Sequence, residues 1–226
     1  MKKIVIIFII IISCIIIHSQ EAKWREKFSF ISLNELKKYE SEILSNKDSY
    51  EKFAQLGIIY HYQCKFKEKK AKTSIYYLEK ALEIKYNYII KLYLGSSFTI
   101  LGGQSKAVKD KIGYVNKGTK ILDEVYEEHQ DDYITSVIVA SNSLKLPDMI
   151  FHRLKVADKI ISNMESKLSK YNNEEKAKIK YLRAYYLFKK NKKSDSLNIA
   201  EEIISNYTGT EAEQQAKELI KELKNK

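Results

Sequence analysis

The residues of this chain that could carry out chemistry are few and scattered. His61 and Cys64 stand three positions apart, which would place both side chains on one face of a helix as half of a metal site. A closed zinc site needs four ligands, and the sequence brings no second histidine and cysteine pair close to them. His129 and His152 are isolated, so we predict no bound metal.

Motifs for nucleotide binding or hydrolysis do not occur in the sequence. Residues 102–106 (GGQSK) lack the spaced glycines and the preceding strand of a phosphate-binding loop. There is no Gly-x-Ser-x-Gly elbow and no His-Glu-x-x-His helix. The acidic pairs at residues 127–128 and 131–132 fall at predicted helix ends, where capping accounts for them. We therefore predict no cofactor and no enzymatic activity. An enzyme whose active site carries no recognisable motif stays as the third hypothesis, after the two binding functions given below.

The first twenty residues carry the clearest signal of cellular location. Lys2 and Lys3 precede an apolar run at residues 4–17, after which the sequence turns polar at His18. A basic start, a short apolar segment and a polar exit are typical of a secretory signal peptide. The run is shorter than the about 20 apolar residues that a membrane span needs. We expect an exported bacterial protein of the periplasm or cell envelope, with residues 1–20 as signal peptide or N-terminal anchor and residues 21–226 as one helical domain.

Three outcomes for this N-terminal segment stay open. Residues 11–14 (IISC) resemble a loose bacterial lipobox, in which Cys14 would be acylated and become the mature N-terminus. Cleavage near Ser19 or Gln20 would release the chain instead, and an uncleaved segment would anchor it. Acylation or anchoring would associate the protein with a membrane through its N-terminus. With Cys14 removed or acylated, Cys64 is the one thiol of the mature chain, so no internal disulfide can form.

The net charge of +11 has to be interpreted in the expected location. Outside the cytoplasmic membrane the available anions are lipid head groups, cell-wall polymers and acidic proteins, so we expect no nucleic-acid partner. Most of the charges alternate in sign along the chain, which is typical of the solvated faces of helices. Two lysine-rich runs, residues 65–72 and 189–193, depart from this pattern.

Everything after residue 30 is predicted to be helical. Pro147 is the only proline, and apolar residues recur at a spacing of about 3.6. Capping boxes at residues 32–35 and 210–213, and a similar start at residues 48–51, mark helix N-termini. Pro147 is expected to open one long helix that reaches Leu168. The sequence thus predicts an all-α fold of about ten helices joined by short loops, which make neighbouring helices antiparallel.

Three stretches of the chain resemble the tetratricopeptide repeat, a helix-turn-helix unit of about 34 residues. Residues 56–60 (LGIIY) and 94–98 (LGSSF) match the large-small pair and the aromatic residue of its first helix. Residues 181–209 fit without a gap, and residues 206–210 (NYTGT) resemble the hinge before the capping helix of exported bacterial members. Residues 131–168 fit the repeat poorly. The resemblance implies an α-solenoid of antiparallel hairpins, in which small residues lie where helices cross: Gly57, Ala81, Gly95 and Ala184.

The resemblance also implies a concave groove lined by the first helix of each repeat. In this register the side chains facing the groove, besides that of Ile58, are those of His61, Tyr62, Ser96, Thr99, Tyr185 and Phe188. Tyrosine suits recognition because it offers apolar area and a hydroxyl, although it fills cores as well. We expect an exported, non-catalytic scaffold or adaptor that binds a protein or peptide segment. The alternative is a basic peripheral module that binds a membrane surface or an anionic cell-wall polymer through the two lysine runs.

Overall fold

The computed structural model describes residues 23–24, 27–28 and 31–225. The predictions for residues 1–20, including acylation of Cys14, lie outside the described residues. Within those ranges the chain forms eleven α-helices and no strand, which confirms the all-α prediction. The chain divides into two compact units with their boundary inside a helix: unit 1 extends to Leu122, and unit 2 begins at Asp123.

Unit 1 is built from five helices, the last of which continues past its end. They are α1 (Leu33–Leu44), α2 (Tyr50–Gln63), α3 (Ala71–Ile84), α4 (Tyr88–Gln104) and α5 (Val108–Glu128). A single 3-10 turn, Cys64–Phe66, follows α2. Helix α1 packs against α2, α2 against α3 and α3 against α4, and α2 also packs against α4. Helix α4 is apolar on all sides, and every residue from position 92 to 99 is buried, so it forms the centre of the unit.

Two of the predicted small residues lie at close helix contacts in unit 1, as expected. A Cβ added at Gly57 would lie 2.6 Å from the Leu78 side chain on α3. A Cβ added at Gly95 would lie 3.0 Å from the backbone oxygen of Gly118 on α5. The absence of side chains at these positions lets the helices approach to a distance that larger residues would prevent.

Unit 2 contains the remaining six helices. They are α6 (Tyr133–Lys145), the single turn α7 (Asp148–Phe151), α8 (Leu154–Glu165), α9 (Asn173–Lys189), α10 (Lys193–Asn206) and α11 (Glu211–Lys224). Helix α9 is central, since it packs against α6, α8, α10 and α11. Its small Ala177 and Ala184 are fully buried, Ala177 in an apolar cluster with α10 and α11 and Ala184 in one with α11.

The prediction of one long helix that begins at Pro147 is wrong. Pro147 precedes the single turn α7, which ends at His152 in the left-handed region with a φ of 52°. The Asp148 side chain then accepts a hydrogen bond of 2.8 Å from the backbone N–H of Leu154 and satisfies a donor at the start of α8. Helix α8 ends at Glu165, before a 3-10 turn at Leu168–Lys170.

The three predicted helix starts are found, and at two of them the capping hydrogen bonds are shifted by one residue. At α1 the Ser32 and Glu35 side chains each accept from the other's backbone N–H, as a capping box requires. At α2 the N-cap is Ser49, one residue later than a capping box over residues 48–51 would place it. At α11 the Thr210 hydroxyl caps the helix, but the Glu213 carboxylate accepts from the N–H of Gly209. The reciprocal bond of that box is therefore displaced by one residue.

Candidate functional site

Four of the six residues predicted to line a groove lie at helix contacts of unit 1. Tyr62 is buried and shares a hydrogen bond of 2.7 Å with the hydroxyl of Tyr93 on α4. Ser96 and Thr99 are buried as well, and Thr99 lies directly against Gly118 of α5. His61 is partly buried at the contact between α2 and α4. The structure thus brings the side chains of this group into the packed interior of unit 1 or to its edge.

His61 is the residue of this group with catalytic potential, because its ring meets a serine. Its Nδ1 lies 3.0 Å from the Ser97 hydroxyl, which lies 2.9 Å from the Ser74 hydroxyl. Ser74 donates its one hydroxyl hydrogen to the carbonyl of Gly57 at 2.8 Å, so Ser97 must donate to Ser74. His61 Nδ1 must then donate to Ser97.

This direction of donation decides what the chain of hydrogen bonds can do. A histidine that activates a serine nucleophile must accept the hydroxyl proton, whereas here Nδ1 is the donor. Both serines are also fully buried, so a substrate does not reach them. The arrangement satisfies buried polar groups where α2, α3 and α4 meet.

The other two predicted residues, Tyr185 and Phe188, lie beside an open cleft in unit 2. The cleft has a volume of about 250 Å³ and lies between α6, α9 and α11. Its walls combine apolar side chains with charges of both signs; they comprise Ser141, Leu144, Lys145, Lys178, Tyr181, Leu182, Tyr185, Gln215, Glu218, Leu219 and Glu222. Tyr185 is one of these residues, and Phe188 continues the aromatic row on α9 beyond them.

That aromatic row follows the helical repeat of α9. The rings of Tyr181 and Tyr185 stack at 6.1 Å with an interplanar angle of 18°, and Phe188 follows Tyr185 at 5.9 Å. All three are partly buried against an apolar cluster that includes Leu219 of α11. Spacings of three and four residues place these side chains on one face of the helix, so the row presents a continuous apolar strip.

The charged groups of the cleft differ in how strongly the protein already engages them. The Lys178 ammonium donates to Gln215 Oε1 at 2.8 Å and to Glu211 Oε2 at 3.4 Å. Lys145 is open to solvent, but the protein packed around the cleft lowers the pKa of its ammonium by desolvation, which the Glu211 carboxylate partly opposes. Desolvation also raises the pKa of the Tyr181 hydroxyl, so it is a neutral hydrogen-bonding group at physiological pH.

Most of this cleft was not predicted from the sequence. Of its lining, Tyr185 was among the residues predicted to face a groove, and the spacing of Tyr181 from Tyr185 carries the same signal; Phe188 lies beyond the lining. Lys145 and Ser141 come from α6, within the stretch that fits the repeat poorly, so nothing in the sequence pointed to them.

Other classes of site are not found among the described residues. No group of three or more histidine, cysteine, aspartate or glutamate side chains in that part of the chain could hold a metal ion. The Cys64 thiol donates to the Tyr60 carbonyl, and desolvation raises its pKa, which disfavours the thiolate. In the described ranges, none of the helices combines the length and the apolar character that crossing a bilayer requires.

The comparisons with known proteins give no further assignment. No protein-family model, no curated protein and no solved structure matches this chain.

Proposed function

We propose that this chain is an exported, non-catalytic binding protein that holds a peptide segment of a partner protein in the cleft between α6, α9 and α11. The observation that carries the proposal is the strip of Tyr181 and Tyr185, which lines an open cleft together with charges of both signs. Aromatic side chains offer a large apolar area at low conformational cost, and they dominate the energetics of protein interfaces.

The composition of the cleft favours a polypeptide over a small anion or a polyanion. Lys145 and Lys178 face Glu218 and Glu222 in the same lining, so the charges balance. A polyanion would meet the two carboxylates, whereas a peptide can pair with both signs and place its apolar side chains on the tyrosine rings.

The packing of unit 2 supports a repeat architecture for the binding region. Helix α9 packs against its neighbours in sequence, α8 and α10, and against α6 and α11, which are further away along the chain. Contacts of one helix both with its sequence neighbours and with helices further along the chain are expected of stacked helical hairpins similar to tetratricopeptide repeats, in which the first helix of each hairpin lines one face. In this proposal α6, α9 and α11 are those first helices.

The proposed export and the proposed lack of catalysis have separate supports. Export depends on the basic, apolar and polar succession of residues 1–20. The proposed absence of a catalytic role is supported by the donation from His61 Nδ1 to Ser97 and by the burial of that serine, since a histidine that activates a serine must accept its proton.

A peptide-array experiment with the full chain tests the function. Peptides selected for binding are titrated against the wild type and against two tyrosine variants, Tyr185→Ala in the cleft and Tyr76→Ala, which is 54% exposed on α3. Loss of an aromatic anchor costs about 1–2 kcal/mol, so Tyr185→Ala should weaken binding by roughly 5- to 30-fold and Tyr76→Ala should not.

A third variant separates binding from folding. Because Tyr185 packs against α11, its replacement lowers stability, so circular dichroism must show each variant folded at the assay temperature. Lys145→Glu reverses the charge of a cleft residue on α6 and should change the selected peptide sequences, and circular dichroism checks that unit 2 stays folded. Equal affinity of the Tyr185→Ala and Tyr76→Ala chains, with unchanged peptide preference of Lys145→Glu, would contradict the proposal.

A further inference from the structure

Two loops of unit 1 come together at one end of its helices. The connection from α2 to α3 includes the 3-10 turn Cys64–Phe66, and the connection from α4 to α5 spans residues 105–107. The Gln104 side chain at the end of α4 donates to the Glu68 carbonyl at 3.2 Å, which joins the two connections. We call the surface formed by residues 65–72 and 106–112 the lysine-rich end.

The charge of the lysine-rich end is strongly positive. Its two segments contain eight lysines and two acidic residues. One of those acids, Glu68, forms an ion pair of 3.1 Å with Lys37 of α1, so its charge is already offset. Lys67, Lys69, Lys106 and Lys109 are all exposed, so the cationic groups face solvent.

Exposed apolar side chains stand among these lysines. Phe66 is 44% exposed at the turn after α2, and Val108 is 69% exposed at the start of α5. Ile112 lies one turn further along α5 and is 39% exposed. The residue after Phe66, Lys67, closes the turn in the left-handed region with a φ of 64°. Exposed apolar side chains grouped on one surface mark sites of interaction with a membrane or another protein.

We propose that the lysine-rich end docks on an anionic phospholipid membrane, with the Phe66 and Val108 side chains entering the interfacial region. Lysines near an anionic bilayer each contribute about 1 kcal/mol, and apolar side chains add to that attraction when they insert. A soluble anionic polymer would use the charges but would leave Phe66 and Val108 in water, so the pairing of the two favours a membrane. This surface lies in unit 1, and the proposal is independent of the cleft in unit 2.

A reporter at a defined position is needed to test this proposal, because the apolar run at residues 4–17 can bind vesicles by itself. The full chain with Phe66→Trp is mixed with vesicles containing brominated phosphatidylglycerol or brominated phosphatidylcholine. The matched control is Tyr86→Trp, which is 60% exposed in the loop between α3 and α4, at the opposite end of unit 1. Trp24 is the only natural tryptophan, so the wild-type chain supplies the background.

Insertion predicts strong quenching of the Phe66→Trp signal by the anionic vesicles and weak quenching by the neutral ones. The Tyr86→Trp signal should change little in either. Quenching of Phe66→Trp no greater than that of Tyr86→Trp would overturn the proposal. Equal quenching by both lipids would overturn its electrostatic part. If soluble polyphosphate changes the fluorescence of Phe66→Trp while neither lipid quenches it, this surface binds a polyanion and the membrane proposal is overturned.

A pair of charge variants completes the experiment. The first carries glutamine in place of four lysines of this end: Lys67, Lys69, Lys106 and Lys109. The control carries glutamine in place of four lysines at the turn between α9 and α10: Lys189, Lys190, Lys192 and Lys193. At about fivefold per lysine, the first set should raise the anionic lipid needed for half-maximal quenching by more than 100-fold. The control set should leave it within a fewfold, and an equal loss in both variants would refute a localised surface.

Discussion

The crossing of α4 and α5 allows a sharp test of the packing in unit 1. A Cβ added at Gly118 would lie 2.5 Å from the backbone oxygen of Gly95 and 2.8 Å from the backbone nitrogen of Thr99. Ordinary van der Waals contact begins at 3.4 Å, and both obstacles are backbone atoms of a helix, which do not rotate out of the way. The substitution Gly118→Ala must therefore push the two helices apart.

The size of the effect follows from two opposing contributions. Alanine favours the helix over glycine by about 0.5–1 kcal/mol. Overpacking of a tight contact costs about 1–3 kcal/mol, and contact with backbone places this case at the upper end of that range. We expect Gly118→Ala to lower the free energy of unfolding of unit 1 by about 2 kcal/mol.

Two other glycines provide matched controls. Gly113 lies on the same helix with nothing within 4 Å of an added Cβ, so Gly113→Ala should raise the free energy of unfolding by about 0.5–1 kcal/mol. A Cβ at Gly95 would meet Gly118 and Leu122 at 3.0 Å, so Gly95→Ala should fall between the two. The larger Gly95→Leu change should cost several kcal/mol, because its side chain must enter the same contact.

Urea unfolding of each variant measures these differences. Trp24 is buried and lies in unit 1, so its fluorescence follows that unit, while circular dichroism follows the helices of the whole chain. Stabilities are compared only between variants whose unfolding free energy depends on urea with the same slope, because an equal slope shows that the variants expose the same surface on unfolding. If Gly118→Ala is as stable as Gly113→Ala, the close crossing of α4 and α5 does not exist, and the packing of unit 1 described above is wrong.

Three further predictions concern single contacts. Ser74→Ala removes a hydroxyl that bonds two buried groups and should lower the free energy of unfolding by about 1–2 kcal/mol in urea titrations. Asp123→Ala leaves the buried Arg153 without the carboxylate that it contacts at 2.6 and 2.7 Å, and should cost about 2 kcal/mol in the same assay. The hydrogen bond from Lys217, and after it that from the Gly209 N–H, lower the pKa of the Glu213 carboxyl. The carboxylate therefore stabilises the folded state above about pH 4.5, and this contribution is lost as the pH falls through the lowered pKa. Glu213→Gln should flatten the acid side of a plot of unfolding free energy against pH.

The helices could be predicted because their signals are local. Ser32 and Glu35 form the expected box since both partners lie within one turn of each other. Errors arose where two neighbouring residues can serve the same purpose, as at Ser49, which caps α2 although Asp48 is also a good capping residue. The break at His152 is not visible in the sequence, because a left-handed histidine is uncommon and is selected here by the capping of α8 from Asp148.

The assignment of residues to a groove failed where a helix has no polar side. On α4 apolar residues surround the axis, so periodicity does not distinguish the face that meets α5 from one that would meet solvent. The register of the tetratricopeptide resemblance predicted that Thr99 faces a groove, but the structure places Thr99 against Gly118. On α9 the register of the repeat predicted Tyr185 and Phe188 together, and their spacing of three residues places them on one face of the helix.

The cleft of unit 2 depends on long-range packing that no local signal reports. Its α6 wall comes from residues more than thirty positions before those of α9, in a stretch without the small-residue pattern of the repeat. The same packing sets how the charges can act. Lys178 already donates two of its three ammonium hydrogens to Gln215 and Glu211, so a ligand that takes the place of either acceptor exchanges one hydrogen bond for another. Little net free energy is gained from such an exchange. The tyrosine rings therefore supply the affinity in our proposal, and the charges select the orientation and sequence of the peptide.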